Sequence, residues 1–430
     1  MIDTSPWTLP CRAWHLLLVL VLFPPAALAQ DWNQWLGPTR DGVAPASLKL
    51  GELAETPKTV WKTTVGEGHS SPVVSGDRVF VLTRKGDQEV LSALGLGDGK
   101  ILWQEKYAAP FTTNQAATAH GKGPFATPAV ADGRVFALGI GGVLTCCDAG
   151  DGRVIWRKVF KEGEIDSREF FCGNSSSPLV DQGRLIAYRG DDSKGILGAY
   201  DVKTGDEIWS WSGDNPGYSS PIVIDVGGSK HVVTLSQTKV IGLDADSGLL
   251  LWEIPFVSQW KENVPTPVYS APDGASRNAG LLVYSGTKRG VTAVRLDRDP
   301  ESGSWAPVTV WETGEVSLYM STPLVGDGFL FGLSQLRKGQ IFCLDLASGE
   351  VAWTSKGRHG DNASFVLVGD KILSLTTEGS LIVFPRSPEG FEAIRTYGVS
   401  ETPTWATPAP VDQGLLIKNQ DELMLVSLKG

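Results

Sequence analysis

An Asp eight residues before a Trp, with a Gly four before it, recurs along this chain. It appears as Asp148, Gly152 and Trp156; Asp201, Gly205 and Trp209; Asp244, Gly248 and Trp252; and Asp345, Gly349 and Trp353. Gly99 and Trp103 keep the spacing with Gly95 in the Asp position, Trp311 ends a stretched copy containing residues 297–307, and Trp61 stands in a strand with no repeat before it. A second mark alternates with the first. Ser or Thr precedes Pro72, Pro128, Pro178, Pro221, Pro267, Pro323 and Pro408, and Phe365 holds the Pro position in an eighth, degenerate copy. Spacings of 42 to 59 residues between successive Trp positions match the repeat length of a four-stranded propeller blade.

The chemistry of one unit follows from its residues. A short strand succeeds the Ser/Thr-Pro mark, a Gly-containing turn leads to a β-rich strand such as RVFVL or RVFAL, and a third strand runs into the Asp-x-x-x-Gly turn. There Gly supplies the positive φ and the Asp side chain binds backbone N–H groups. The Trp strand closes the unit. One such sheet cannot bury both faces, whereas neighbours stacked in a ring do so. The predicted fold is therefore all-β: an eight-bladed β-propeller of four-stranded blades. The last unit lacks its Trp strand, and 60–65 near the N-terminus is predicted to supply it, closing the ring between the two ends of the chain. That closure removes the open edges that invite aggregation.

Composition agrees, with 50 Gly for tight turns and 15 Trp as anchoring rings, and the net charge of −10 comes with no Lys/Arg run. A nucleic-acid partner is therefore excluded. Residues 16–23, LLLVLVLF, precede Ala27-Leu28-Ala29. The apolar run is too short to span a bilayer, and the small-x-small pattern predicts a cleaved signal peptide over 1–29, with an uncleaved anchor as the alternative. The rest, 30–430, reads as a single propeller domain, monomeric, periplasmic or secreted, with no lipidation cysteine at the cleavage site. Cys146, Cys147, Cys172 and Cys343 remain in the mature chain. Cys146 and Cys147 are adjacent in an expected strand and should face opposite sides; a strained vicinal disulfide is the other reading.

The Asp-x-x-x-Gly-x-x-x-Trp ending and the Ser/Thr-Pro start resemble the pyrroloquinoline-quinone (PQQ) repeat of eight-bladed quinoprotein dehydrogenases and of the outer-membrane assembly factor BamB. The resemblance covers about 31–430, including the lead DWNQWLGPTRDG. It implies fold more than function, because the repeat records how blades dock. It makes Trp61, Trp103, Trp156, Trp209, Trp252, Trp311 and Trp353 blade-docking residues. A PQQ dehydrogenase would need cations for the cofactor's carboxylates, an aromatic stacking on its rings, a calcium site and an Asp base. Arg168, Glu169, Asn174, Asp214 and Trp405 are the residues available for these roles.

Function should sit where the loops between blades meet at the channel mouth. Two are long: 25 residues separate Trp103 from Pro128 and 22 separate Trp156 from Pro178. Their polar candidates are Asn114, Gln115, His120, Lys122, Arg168, Glu169 and Asn174. The position three before each Pro equivalent predicts a ring of His69, Phe125, Ser175, Tyr218, Val264, Met320, Asn362 and Trp405. His69, His120 and His359 all fall in loops between blades, but no spacing fixes a metal site, and none is assigned. The favoured reading is a BamB-like binding scaffold that presents these loops to an envelope or extracellular protein, with no cofactor and no catalytic residue. Two alternatives stand beside it: a PQQ- and calcium-dependent dehydrogenase, and a carbohydrate or small-ligand sensor using Tyr218, Trp260, Tyr319 and Trp405.

Overall fold

The computed structural model describes residues 1–2, 31–160, 170–272, 280–337 and 339–430. The signal segment 3–30 and the candidates Arg168 and Glu169 lie outside the described residues. The described residues form eight four-stranded antiparallel sheets. Seven use consecutive strands: blades 1 to 7 span 73–108, 129–158, 179–211, 222–255, 268–313, 324–354 and 363–398. Blade 8 takes three strands from 409–429 and its fourth from Leu53–Thr64, which pairs with Glu422–Lys429. The closing strand begins earlier than the sequence suggests, but the pairing is the expected one.

Burial explains the strand sequences. Central strands lie between two neighbouring sheets and read as apolar runs, as in Arg78–Lys85, where Val79 to Thr83 are buried. Outer strands keep one face in water and alternate, as in Glu207–Trp211.

The repeat residues make the seams. Trp61, Trp103, Trp156, Trp209, Trp311 and Trp353 each donate the indole N–H to a carbonyl of the next blade: Leu96, Ala149, Val202, Ala245, Leu346 and Ser387, at 2.7 to 3.3 Å. The rings of Trp61, Trp103, Trp156, Trp209 and Trp311 lie on the turn glycines Gly99, Gly152, Gly205, Gly248 and Gly349, whereas Trp353 packs on Phe391; a Cβ on Gly248 would stand 2.6 Å from Trp209, and Gly248 has φ +72. One residue type thus meets two demands, a left-handed turn and room for an indole. Asp148, Asp201, Asp244 and Asp345 each accept from two backbone N–H groups of their turns, as turn formers do. Blade 7 has no Trp; Tyr397 takes the position, and its hydroxyl donates to Ala54 O at 2.6 Å.

Trp252 departs from the pattern. Its indole donates to His231 Nδ1 in its own blade at 3.1 Å. Blade 5 has the stretched turn, where Asp299 accepts from Glu301 and Ser302 and Gly303 has Arg298 as its nearest neighbour. Trp305 of blade 5 instead meets the His231 ring edge-on at 4.6 Å. The 4–5 seam therefore uses a His–Trp contact in place of indole-to-carbonyl docking.

Cys146 and Cys147 belong to two different cores, one on each face of blade 2. Their thiols are free and point apart, so the vicinal disulfide does not form. The tripeptide Arg189-Gly190-Asp191 ends a hairpin with Arg189 and Asp191 buried; Asp191 accepts from Ser193 and Lys194 of the same turn.

The lead 31–44 crosses the inner strands. Trp32 O and Asn33 O accept from Val74 and Val130, Gln34 Oε1 from Val180, and Gly42 O from Leu367. The buried Arg40 guanidinium donates to Ser177 O and Pro178 O. The lead thus ties together the inner strands of blades 1, 2, 3 and 7 and brings Trp35 to the cavity between them.

Candidate functional site

Each inner strand starts at the Ser/Thr-Pro mark, so these hydroxyls circle the channel. The N–H of Thr407 donates to Ser71 Oγ, and the relay continues from Ser71 to Thr127, Ser177, Ser220, Thr266 and Thr322 at 2.8 to 3.1 Å. Each hydroxyl oxygen thereby satisfies a buried backbone donor of the preceding blade. The belt breaks at blade 7, where Ser364 lies in a strand without the Pro and bonds Leu375 O.

Above the belt lies a cavity of about 180 Å³ with Trp35 at its floor. Its rim includes His69, Phe125, Ser175, Tyr218, Val264, Met320 and Trp405, seven members of the ring expected from sequence. Asn362 faces an adjoining recess with Tyr319 and Trp405.

The first long loop folds over this mouth. Asn114 caps the short 3-10 helix Gln115–His120 by accepting from Ala116 N. Gln115 and Lys122 are exposed, while His120 turns inward, edge-on to Trp405 at 5.3 Å and to Phe171 at 5.8 Å. His69 stacks on Phe125 at 5.2 Å and approaches His120 O at 3.1 Å. The loop is held from below by buried Arg84, which donates to Lys122 O at 3.0 Å. Glu89, beside Arg84, accepts from Tyr107 at 2.5 Å and from Ile140 N at 2.9 Å. From the second loop, Phe170 stacks on Tyr218 at 5.3 Å.

The electrostatics of the mouth are set by burial. His69 is pushed down to about 4 by burial and by the nearby Lys418 charge, and burial also lowers His120. Both rings are thus neutral at pH 7. Lys418, 1% exposed, is pushed down to about 7 by burial; its ammonium donates to Gly68 O, Asn419 O and Gln420 O. Glu262 lines the cavity, and burial raises its carboxyl above the usual range. Burial and the Glu262 charge together push Tyr319 up to about 12.

Several candidates sit elsewhere. Asn174 is buried and committed to the backbone: it donates to Ile140 O and accepts from Gly190 N. Asp214 accepts from Ser236 and Thr238. His359 packs on Phe391 at 5.0 Å, away from His69 and His120. Trp260 is 67% exposed on a turn with φ +63 and does not line the cavity, so it is no partner for Tyr218 and Trp405 in one pocket. Among the described residues, no group of three His, Cys, Asp or Glu side chains could hold a metal ion. Sequence reasoning missed Trp35, Phe171, Cys172 and Glu262. Glu262 lies in a loop of ordinary length; only its position five before Pro267 was available as a signal.

The family model described as outer membrane protein assembly factor BamB matches residues 49–123 and 87–355. This chain belongs to that family. BamB of Yersinia pestis is 23% identical over 367 residues, which cover 81% of this chain and 75% of that protein. BamB of Salmonella typhimurium is 25% identical over 306 residues, covering 66% and 72%. The crystal structure of BamB from Moraxella catarrhalis superposes with a TM-score of 0.59 at 13% identity, over 86% of this chain and all of that one. Quinohemoprotein alcohol dehydrogenase from Comamonas testosteroni gives 0.68 at 14%, over 94% and 81%. At these identities the two structures speak for the fold.

The fold shared with quinoproteins raises the question of whether PQQ suits this mouth. Among its described lining residues there is no Lys or Arg, and Glu262 is the sole carboxylate. A tricarboxylate quinone would find no cationic side chain there and would face a carboxylate. A calcium ion would find a single acidic ligand, short of the six to eight oxygens it takes. The described residues do not fit this cofactor.

Proposed function

We propose that this protein is a cell-envelope binding scaffold that presents the mouth face of its propeller to a protein partner. The observation that carries this reading is the BamB family match across most of the chain. Geometry supports it. The mouth face carries exposed polar groups at Gln115 and Lys122 and exposed apolar groups at Val257 and Trp260. An aromatic residue held out in water at positive φ costs energy that burial in an interface offsets. No helix among the described residues is long and apolar enough to cross a membrane.

A photo-crosslinking amino acid tests this in whole cell envelopes. At positions 115 and 122 it should give discrete adducts with an envelope protein. At Leu249, exposed on a turn of the opposite face, it should give none. Trp260→Ala should weaken the mouth adducts at least fivefold with unchanged thermal unfolding. Equal adducts on both faces, or none from the mouth, would reject the scaffold reading.

A further inference from the structure

The mouth cavity has an uneven charge distribution. Glu262 is 9% exposed, lines the cavity, and its carboxylate has no hydrogen bond or ion pair to any described side chain. It lies close enough to Cys172, Tyr218 and Tyr319 to perturb all three. A buried carboxylate without a partner is costly and needs compensation. The buried cations Lys418 and Arg40 do not supply it. Lys418 is spent on three carbonyls. Arg40 lies against Trp35 at 5.5 Å, behind the floor.

The remaining lining suits a positive charge. Aromatic faces are electron-rich, and a cage of them holds an ammonium group. Tyr218, Phe171 and Trp405 all line this cavity with Glu262, and the two histidines beside them are neutral. Below them, the belt hydroxyls accept backbone N–H groups, and among the described residues no acceptor takes the protons of Ser71, Thr127 or Ser177. Those O–H groups are donors for a ligand's polar end. The two ends of the cavity therefore ask for different groups: a cation at the Glu262 rim and a hydrogen-bond acceptor toward the belt.

We propose that the mouth cavity is a binding site for a small organic ammonium compound, whose charged group is paired with Glu262 and faced by Tyr218, Phe171 and Trp405. The site is independent of the partner reading and would exist whether or not the outer loops dock a protein.

The test uses the purified full chain and its tryptophan fluorescence, with choline, ethanolamine, glycine betaine and tetramethylammonium as probes and 3,3-dimethylbutan-1-ol as the neutral isostere of choline. At least one cation should give saturable quenching, and the isostere should bind at least tenfold more weakly than choline does. Glu262→Gln should weaken cation binding at least tenfold while leaving the isostere unchanged and unfolding cooperative. Trp405→Leu serves as a second variant and should weaken the cations more than the isostere. Absence of saturable binding by all four cations, equal binding of choline and its isostere, or cation binding that survives Glu262→Gln would each overturn the proposal. Loss of envelope crosslinks from positions 115 and 122 would leave it standing.

Discussion

The seams of this propeller and its mouth are built from the same blades, yet they obey different rules. At five of the eight seams one solution is repeated: an indole donates across to the next blade and rests on a glycine in the left-handed region. At the mouth every blade contributes something different, from His69 to Phe125, Tyr218, Met320 and Trp405. The contrast teaches where selection for shape ends. A seam must satisfy a polar N–H and fill a gap of fixed size, so few residues serve. The mouth need satisfy only whatever it binds.

The sharpest way to break this comparison is to fill the space under an indole. Gly248→Ala places a Cβ 2.6 Å from Trp209 at φ +72. It should destabilise by about 2–4 kcal/mol, from overpacking plus left-handed strain. Gly303→Ala, at φ +71 with Arg298 3.6 Å away, carries the strain alone and should cost about 1 kcal/mol. Urea unfolding of both variants measures the difference, and equal losses would show that the glycines serve only the turn.

Thr127→Val tests the belt. It keeps shape but removes the acceptor of the buried Ser71 N–H, and should cost about 1–3 kcal/mol. Unchanged stability would mean that the belt is there for a ligand and not for the fold.

The smallest effect separates the irregular 4–5 seam from the others. His231 is fully buried and pushed down to about 4 by burial. Its folded value lies below its unfolded one, so the unfolded chain binds the extra proton between roughly pH 4 and pH 6.5. Its contribution is present at pH 7 and is lost as pH falls through that window. Between pH 7 and pH 6 the loss should be about 0.7 kcal/mol. His231→Gln should flatten the pH dependence of the urea midpoint by that amount, leaving the shares due to His69, His120, His359 and Lys418, which are depressed in the same direction. An identical slope in the variant would remove His231 from the account.

Sequence and structure agree where geometry forces residue type. The Gly–Trp spacing announces the regular seams because each of them imposes the same constraint, the Ser/Thr-Pro marks give the count of eight blades, and the closing strand follows from the missing Trp. The 4–5 seam was visible only as a stretched repeat, since nothing in the spacing says that Trp305 would meet His231. The mouth was legible in outline, because counting back from each Pro finds the first residue over the channel. Its chemistry was not. Asn174 looks like a ligand in sequence but is drawn into backbone bonding, and Trp260 turns outward. Trp35 comes from a lead segment far away in the chain, so only the folded ring brings it beneath Phe125.

The strand Leu53–Thr64 finds its partner in the last eight residues of the described sheets, Glu422–Lys429. During synthesis the first strand to emerge therefore waits for the last. The intermediate blades can form pairwise as they appear, but the circle has two raw edges until the chain is complete. Pairing between strands so far apart in sequence is intrinsically slow. A chain broken off before residue 422 would keep most of its blades and still expose both ends. Glu422–Lys429 acts as the latch on a clasp, and the closure of the whole ring hangs on that one joint.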